Sequence, residues 1–219
     1  MSVEADLGSL VEEIRRLAGD PRVRRLVEGR VAEFKEVNGE GSPAWFIELV
    51  YCLLTAYSSA ERAQLCVDAL DGCGALVDGS IGAVAETLRR EGHRFADRRA
   101  EYIVAVRGLA GGIKDVIRGF GSSAGAREWL VRNVKGLGWK EASHFLRNVG
   151  YLDVAILDRH VLSNMREHGL IPDGGGKGLT RRRYMEYEGL LRRAADRLGM
   201  PLGEMDLYLW YRKTGKVLK

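Results

Sequence analysis

The amino-acid sequence predicts an all-α fold, and three observations lead to that prediction. Apolar residues recur at helical spacing along almost the whole 219-residue chain. Only residues 154–157 read as a β-strand, and that stretch is too short to found a sheet. The composition, 46% hydrophobic and 29% charged, is ordinary for a globular protein that buries a substantial core.

The predicted helices follow one another in chain order, each supported by apolar residues at helical spacing. In the first half of the chain they cover residues 3–18, 22–38, 42–57, 59–71, 80–91, 95–109 and 113–119. In the second half they cover residues 126–134, 140–149, 158–168, 180–199 and 202–215. Ser42 is expected to cap the third helix, with Pro43 in its first turn.

A glycine-rich segment, residues 171–179 (IPDGGGKGL), separates two of the later helices. Its glycines and lysine resemble a phosphate-binding loop, but no strand precedes it and no Gly-Lys-Ser/Thr sequence closes it. We therefore expect a flexible connector there and no nucleotide site.

Charge, cysteine content and hydropathy narrow the class of protein. The formal net charge of +4 favours a polyanionic partner without proving one. Three cysteines in a chain without a signal peptide are expected to be reduced thiols of an intracellular protein, and they are too few for a four-thiolate cluster. The longest apolar stretch, residues 44–57, is short and interrupted by Glu48, so no membrane span is predicted.

A Gly-Leu-Gly turn joins the predicted helices 126–134 and 140–149. Gly136 and Gly138 flank Leu137, which lets the backbone turn tightly and approach another molecule closely. Free N–H groups at the start of the second helix, together with the helix dipole, make an anion site. An ordinary corner between two helices, with glycine as a C-cap, would show the same pattern.

Lys140 and Asp158 are the candidate reactive pair. An amine attacks carbon only when unprotonated, and burial near a helix N-terminus favours that neutral form. Lys140 could instead be a surface lysine or a phosphate contact. Asp158 follows an apolar run and reads as a helix N-cap, a placement that would also let its carboxylate stabilise a nearby positive charge.

The segment GLGWKEAS (136–143), followed by an aspartate eighteen residues after Lys140, resembles the hairpin of the helix-hairpin-helix DNA glycosylases. The match is closest to the archaeal-type 8-oxoguanine DNA glycosylase/AP lyases. It extends to CLLTAYSSAERA (52–63), RFADRRAEYIV (94–104) and the tail DLYLWYRKTGKVLK (206–219). The resemblance covers the chain from about residue 44 to the C-terminus.

The resemblance implies two helical lobes with the active cleft between them. The central lobe would be residues 44–155, which carry the hairpin, and the second lobe would be residues 1–43 plus 156–219. It implies that Lys140 is the nucleophile, forming a Schiff base with the sugar before β-elimination cuts the strand, and that Asp158 assists it. The substrate would be double-stranded DNA containing 8-oxoguanine.

The base pocket follows partly from chemistry and partly from the resemblance. Attack at C1′ requires the nucleotide to leave the stack, and the extruded ring needs an aromatic face, for which Trp210 is the first candidate and Phe95 the second. 8-Oxoguanine carries a proton at N7, so a discriminating pocket needs an acceptor there. The resemblance places the carboxylate of the terminal Lys219 in that pocket, and Asp206 is another candidate acceptor. Packing roles remain alternatives for Trp210 and Phe95, and a frayed terminus for Lys219.

Phosphate contacts are expected from the amides of the hairpin glycines, Gly136 and Gly138, and from Arg147 and Arg159. The resemblance implies that a monovalent cation can bridge hairpin and phosphate and that no other cofactor is required. We expect a monomer in the cytoplasm, at the nucleoid. Two other functions stay open: a glycosylase for another oxidised or mismatched base, and a non-catalytic helix-hairpin-helix DNA-binding module.

Overall fold

The structure is a computed structural model that describes residues 3–173 and 179–219. These residues form helices joined by turns and contain no β-strand, which confirms the all-α prediction. The chain divides into two compact units: a terminal unit of residues 1–35 and 150–219, and a central unit of residues 36–149. No helix among the described residues combines the length and the apolar character that crossing a bilayer requires.

Thirteen α-helices occur in the described part of the chain. The first six are α1 (Val3–Gly19), α2 (Pro21–Gly39), α3 (Ser42–Thr55), α4 (Ala60–Gly72), α5 (Ala75–Asp78) and α6 (Ile81–Arg90). The middle four are α7 (Ala96–Val106), α8 (Ile113–Arg118), α9 (Ser123–Asn133) and α10 (Trp139–Asn148), with a 3-10 turn (Arg107–Leu109) after α7. The last three are α11 (Arg159–Glu167), α12 (Arg181–Leu198) and α13 (Leu202–Thr214).

The central unit is built around α3, which is apolar on nearly every side and therefore buried. It packs against α4, α7, α8 and α10. The Trp45 ring meets the Phe145 ring edge-on at 6.2 Å, and its indole donates to the carbonyl of Val37. Burial of each such large side chain contributes roughly 1.5–3 kcal/mol. The hairpin helix α10 is thus held directly on the core of its unit.

In the terminal unit, α1 packs against α12 and α13, and α11 packs against α13. Leu7, Leu10 and Ile14 form the buried stripe of α1. Their spacing of three and four residues places them on one face of the helix. This packing fixes α11 and α13, the two helices that bear predicted site residues of this unit.

The segment 154–157 is not a strand. Its side chains are buried, and α12 satisfies its backbone: Glu188 accepts from the Ala155 amide at 3.0 Å, and Tyr184 Oη accepts from the Leu157 amide at 3.3 Å. Tyr184 Oη also donates to the Ala155 carbonyl at 2.7 Å. A short apolar run can therefore be buried without a sheet, because side chains supply the partners that buried backbone needs.

Other differences concern boundaries. Gly41, and not Ser42, caps α3, which ends at Thr55; the predicted helix 95–109 breaks after Val106 into the 3-10 turn. The short helix α5 was not predicted. Both unit boundaries lie earlier than the predicted 43/44 and 155/156. Most of the predicted connector 171–179 falls at residues 174–178, outside the described residues.

Candidate active site

The hairpin turn between α9 and α10 depends on Gly136. This residue has a φ of +96°, which side-chain-bearing residues rarely adopt. A Cβ there would lie 2.4 Å from Cδ2 of the Tyr102 ring, so the ring also requires a bare backbone. The turn is closed by a hydrogen bond from the Leu137 amide to the Val134 carbonyl at 3.1 Å. Both conformation and packing therefore explain the glycine.

Lys140 is the second residue of α10, in the first turn of the helix. The amide of Gly138, which precedes the helix, donates to Glu141 Oε2 at 3.2 Å, and the other oxygen of Glu141 lies 3.9 Å from Lys140 Nζ. The lysine side chain is 26% exposed. The amine is therefore partly buried beside a carboxylate at a helix start.

A cavity of about 470 Å³ lies next to this turn within the central unit. Its lining includes Gly136, Glu141, Arg98, Phe95 and Tyr57. The Phe95 ring is 39% exposed and meets the Tyr57 ring edge-on at 5.8 Å. The predicted base-pocket residue Phe95 thus shares a cavity with the predicted phosphate-binding turn.

Sequence reasoning missed Tyr57. Its side chain is 82% exposed, and it is the sole described residue other than glycine with a left-handed backbone, at φ 64°. Such strain costs about 1–3 kcal/mol and is found where the surrounding structure enforces it. Arg99 contributes here, since its guanidinium donates to the carbonyl of Ala56 at 3.2 Å. No local pattern in the sequence predicts this conformation.

Hydrogen bonds of the buried His93 hold the backbone at Phe95 in place. His93 Nε2 lies 3.0 Å from the Leu54 carbonyl, and the Phe95 amide donates to His93 Nδ1 at 3.3 Å. Burial lowers the pKa of His93, which favours the neutral ring. Neutral imidazole can donate through Nε2 and accept through Nδ1, as these two contacts require.

Arg147 lies in the core of the central unit and is 3% exposed. Its guanidinium donates to the Asn148 side-chain oxygen, and the Asn148 amide donates to Glu48 at 2.8 Å. A phosphate contact needs an accessible guanidinium, so the prediction for Arg147 does not fit its position. The apolar spacing of α10 did not reveal this, because an arginine normally points outward.

In the terminal unit, Asp158 caps α11 as predicted. Its Oδ1 accepts from the amides of His160 at 2.9 Å and Val161 at 2.8 Å. Its Oδ2 accepts from the indole nitrogen of Trp210 at 3.0 Å. The structure therefore brings together two predicted site residues, Asp158 and Trp210, that are far apart in the chain.

The remaining predicted residues of this unit differ in exposure. Arg159 is exposed, and its Nε donates to His160 Nε2 at 3.1 Å. Asp206 is 4% exposed and lies one helical turn before Trp210 on α13. Lys219, which follows the end of that helix, is half-buried. Arg159 is thus accessible to a phosphate, whereas Asp206 is a buried carboxylate.

The chain is similar to known proteins over nearly its whole length. A family model described as 8-oxoguanine DNA glycosylase matches residues 27–200. Over 211 residues the chain is 44% identical to the 8-oxoguanine DNA glycosylase/AP lyase of Methanocaldococcus jannaschii, covering 96% of this chain and 99% of the relative. The enzyme of the same name from Thermotoga maritima is 46% identical over 214 residues, covering 96% and 99%.

Solved structures give the same result. The crystal structure of Methanocaldococcus jannaschii 8-oxoguanine glycosylase/lyase in complex with a 15mer DNA containing 8-oxoguanine has a TM-score of 0.89 at 42% identity, covering 96% of this chain and 100% of that one. The 8-oxoguanine DNA glycosylase of Thermotoga maritima has a TM-score of 0.86 at 44% identity, covering 97% and 100%. The chain therefore belongs to the helix-hairpin-helix 8-oxoguanine DNA glycosylase family.

Proposed function

We propose that this chain is a bifunctional DNA glycosylase and AP lyase that excises 8-oxoguanine from double-stranded DNA and then cuts the strand at the resulting site. The main support for this function is a sequence identity of 44%, over nearly the full length of both chains, to a relative whose crystal structure contains DNA with 8-oxoguanine. Lys140, in the first turn of α10, supports a lyase activity. A non-catalytic DNA-binding module needs the Gly-Leu-Gly turn but no nucleophilic amine.

In the proposed reaction the unprotonated Nζ of Lys140 attacks C1′ of the lesion nucleotide. The bond from C1′ to the base breaks, and its electron pair leaves with the base, which takes up a proton. Positive charge on the sugar is stabilised by the carboxylate of Asp158. Nζ then loses a proton, and its lone pair forms the C1′=N bond of a protonated Schiff base. The sugar opens in this step, because the C1′–O4′ bond breaks and O4′ takes up the proton. Removal of a proton from C2′ expels the 3′ phosphate by β-elimination.

The carboxylate of Glu141 lies beside the proposed nucleophile, with its Oε1 3.9 Å from Lys140 Nζ. An amine attacks carbon only through its free lone pair, so the ammonium form must give up a proton before Nζ attacks.

Phe95 and Trp210 supply the aromatic faces proposed for the extruded base. Phe95 is partly exposed on the wall of a cavity, which suits a ring that must receive another ring. The carboxylate of Lys219 and that of Asp206 are the proposed acceptors for the N7 proton of 8-oxoguanine. Burial of Asp206 would make a mispaired partner costly, by about 1–3 kcal/mol, which is the basis for discrimination against guanine.

The amides of the hairpin at Gly136 and Gly138 and the exposed Arg159 are the proposed phosphate contacts. A monovalent cation can add to them. No group of three or more His, Cys, Asp or Glu suited to a metal occurs within residues 3–173 and 179–219. In this proposal the cation would bridge the hairpin turn and a DNA phosphate. We further propose a monomer that acts in the cytoplasm, at the nucleoid.

Borohydride trapping tests the nucleophile. Borohydride reduces a Schiff base to a stable amine, so the wild-type protein with 8-oxoguanine duplex DNA should give a covalent adduct. Lys140→Gln should abolish the adduct and strand cleavage. Lys135→Gln is the matched control, because it removes a positive charge from the same turn but no proposed nucleophile; at saturating DNA its adduct should persist. An undiminished adduct with Lys140→Gln would rule out this nucleophile.

The same assay run over a panel of lesions tests the substrate. Duplexes that contain 8-oxoguanine, guanine, an oxidised pyrimidine or a mismatch should be compared at one salt concentration. Excision of 8-oxoguanine well above the others is the expected result. Preference for a pyrimidine lesion would instead favour the alternative glycosylase.

A further inference from the structure

The carboxylate of Asp158 is held at both of its oxygens. Oδ1 accepts two backbone amides as the cap of α11, whereas Oδ2 accepts the indole N–H of Trp210 at 3.0 Å. The two cap hydrogen bonds hold the carboxylate through Oδ1 alone, and the bond to Oδ2 adds a restraint at the other oxygen. A second anchor, on a different helix, therefore fixes the orientation of the carboxylate as well as its position.

Trp210 is itself held firmly enough to act as that anchor. The His160 ring meets it edge-on, with centroids 5.3 Å apart. One residue earlier, the Leu209 carbonyl accepts from Asn164, a fully buried side chain of α11 that also donates to the His160 carbonyl. Arg212 of α13 in turn donates to Asn164 at 2.8 Å. These bonds prevent α11 and α13 from sliding past each other.

The chemical nature of the anchor suits the proposed reaction. An indole is a neutral donor, so it orients the carboxylate while leaving its full negative charge. A lysine or arginine at the same place would offset that charge and weaken the stabilisation of a cationic sugar. The indole N–H thus provides orientation without cancelling the field that the reaction needs.

We infer that Trp210 is a positioning residue for Asp158, in addition to its proposed role as a stacking face. The Trp210 ring stacks on the extruded base in the proposed function. Its N–H also orients the Asp158 carboxylate, which assists removal of that base. Recognition and excision are thereby linked through one side chain. This inference rests on the proposed function, since it assigns a task to Asp158 that only a glycosylase requires.

Trp210→Phe separates the two roles, because phenylalanine keeps an aromatic face and loses the N–H. At saturating 8-oxoguanine DNA, the single-turnover excision rate should fall about tenfold to hundredfold, the usual effect of losing a hydrogen bond to a charged group. Affinity for DNA carrying a 2′-fluoro 8-oxoguanine nucleotide, which resists base loss, should change less than about threefold, because the stacking face remains. A pure stacking residue would give the reverse: weakened binding and an undiminished rate at saturation.

Indole NMR signals test the contact itself, independently of activity. The four tryptophans give four indole N–H signals, and the one absent from Trp210→Phe identifies Trp210. Asp158→Ser keeps a helix-capping oxygen but removes the second carboxylate oxygen. It should shift the Trp210 signal and leave the other three in place. An unshifted Trp210 signal would overturn the inference.

Two controls keep the outcomes distinct. Trp129→Phe removes an indole from α9, and excision should proceed at the wild-type rate. Trapping of Trp210→Phe on abasic DNA should stay near the wild-type level, because an aldehyde already formed needs only the amine; loss of trapping would show a misfolded variant or a wider role and would contradict the inference. If the wild type itself neither excises nor traps, the proposed function fails, while the NMR result still decides whether the contact exists.

Discussion

Backbone conformation and side-chain packing both require glycine at position 136. Its backbone has a φ of +96°, and the Tyr102 ring occupies the space where a side chain would begin. The sequence indicated the turn, because paired glycines between helical runs have few other uses. It did not indicate that an aromatic residue thirty-four positions earlier in the chain closes against it.

Gly136→Ala should lower the free energy of unfolding by about 1–3 kcal/mol, because alanine is strained at that φ and its Cβ meets the ring. It should also weaken binding of lesion DNA, since the turn must shift. Gly29→Ala is the control: Gly29 is exposed within α2 with open space around it, and alanine there should stabilise by roughly 0.5–1 kcal/mol. Denaturant unfolding and DNA titration measure both effects. Equal stability of Gly136→Ala and the wild type would contradict the strain argument.

Arg147 marks where residue-level reasoning fails. An arginine beside a DNA-binding turn is a reasonable phosphate contact, yet this one is buried with Asn148, whose amide reaches Glu48 a hundred positions away. A buried charge needs partners, and no local pattern identifies partners at that distance. The helix positions of Lys140 and Asp158 were predictable, because a helix start and an N-cap are local features.

At the scale of elements, helices were predictable and their ends less so. The apolar period that marks α7 continues into the 3-10 turn Arg107–Leu109, so spacing alone could not show the break. Arg107 explains it: its guanidinium donates to the carbonyls of Leu76 and Ala75, and the chain must turn to reach them. Those carbonyls belong to the region of α5, a helix too short to have a recognisable period.

The pairing of α11 with α13 contains an acid-sensitive ion cluster. Hydrogen bonds from Lys213 and then from Arg212 lower the pKa of Glu167 to about 2. A carboxyl whose folded pKa is depressed stabilises the protein above its unfolded pKa, near 4.3, and that contribution is lost as pH falls through the folded value. The contribution of Glu167 to the free energy of unfolding should therefore be lost as the pH falls from about 4.5 to about 2.

Glu167→Gln should remove that part of the acid sensitivity. Between about pH 4.5 and pH 2, its melting temperature should fall less steeply than that of the wild type, because glutamine has no proton to take up. Glu186→Gln, which alters an exposed carboxylate of α12 with no ion-pair partner in the described parts of the chain, should follow the wild type. Thermal unfolding followed over this pH range measures the difference. Parallel curves for wild type and Glu167→Gln would show that the cluster does not stabilise the pair of helices.

At the scale of the whole molecule, the net charge of +4 matters less than where unpaired cations lie. Arg193 and Arg197 both form ion pairs with Glu4, whose single negative charge offsets one of their two positive charges. Arg98, by contrast, is exposed on the lining of the central-unit cavity and forms no ion pair with any residue that the structure describes. An unpaired cation beside the hairpin is suited to a DNA phosphate.

Arg98→Gln should therefore weaken binding to lesion and undamaged DNA alike. The slope of log K against log salt concentration should become shallower by about 0.9, the value for one phosphate contact. Arg193→Gln removes the same formal charge at an ion pair and should leave the slope nearly unchanged. Fluorescence anisotropy at several salt concentrations measures both. An unaltered slope for Arg98→Gln would place Arg98 outside the DNA interface.

The order of residues by itself determined that the chain is helical, that a two-glycine turn precedes a lysine, and that an aspartate starts a later helix. These are local features, set by side-chain period, backbone freedom and capping. Only the tertiary structure decided that Arg147 is buried, that Tyr57 projects in a left-handed conformation, and that the Trp210 indole meets the Asp158 carboxylate. Each of these depends on contacts between residues distant in the chain, and packing alone chooses those partners.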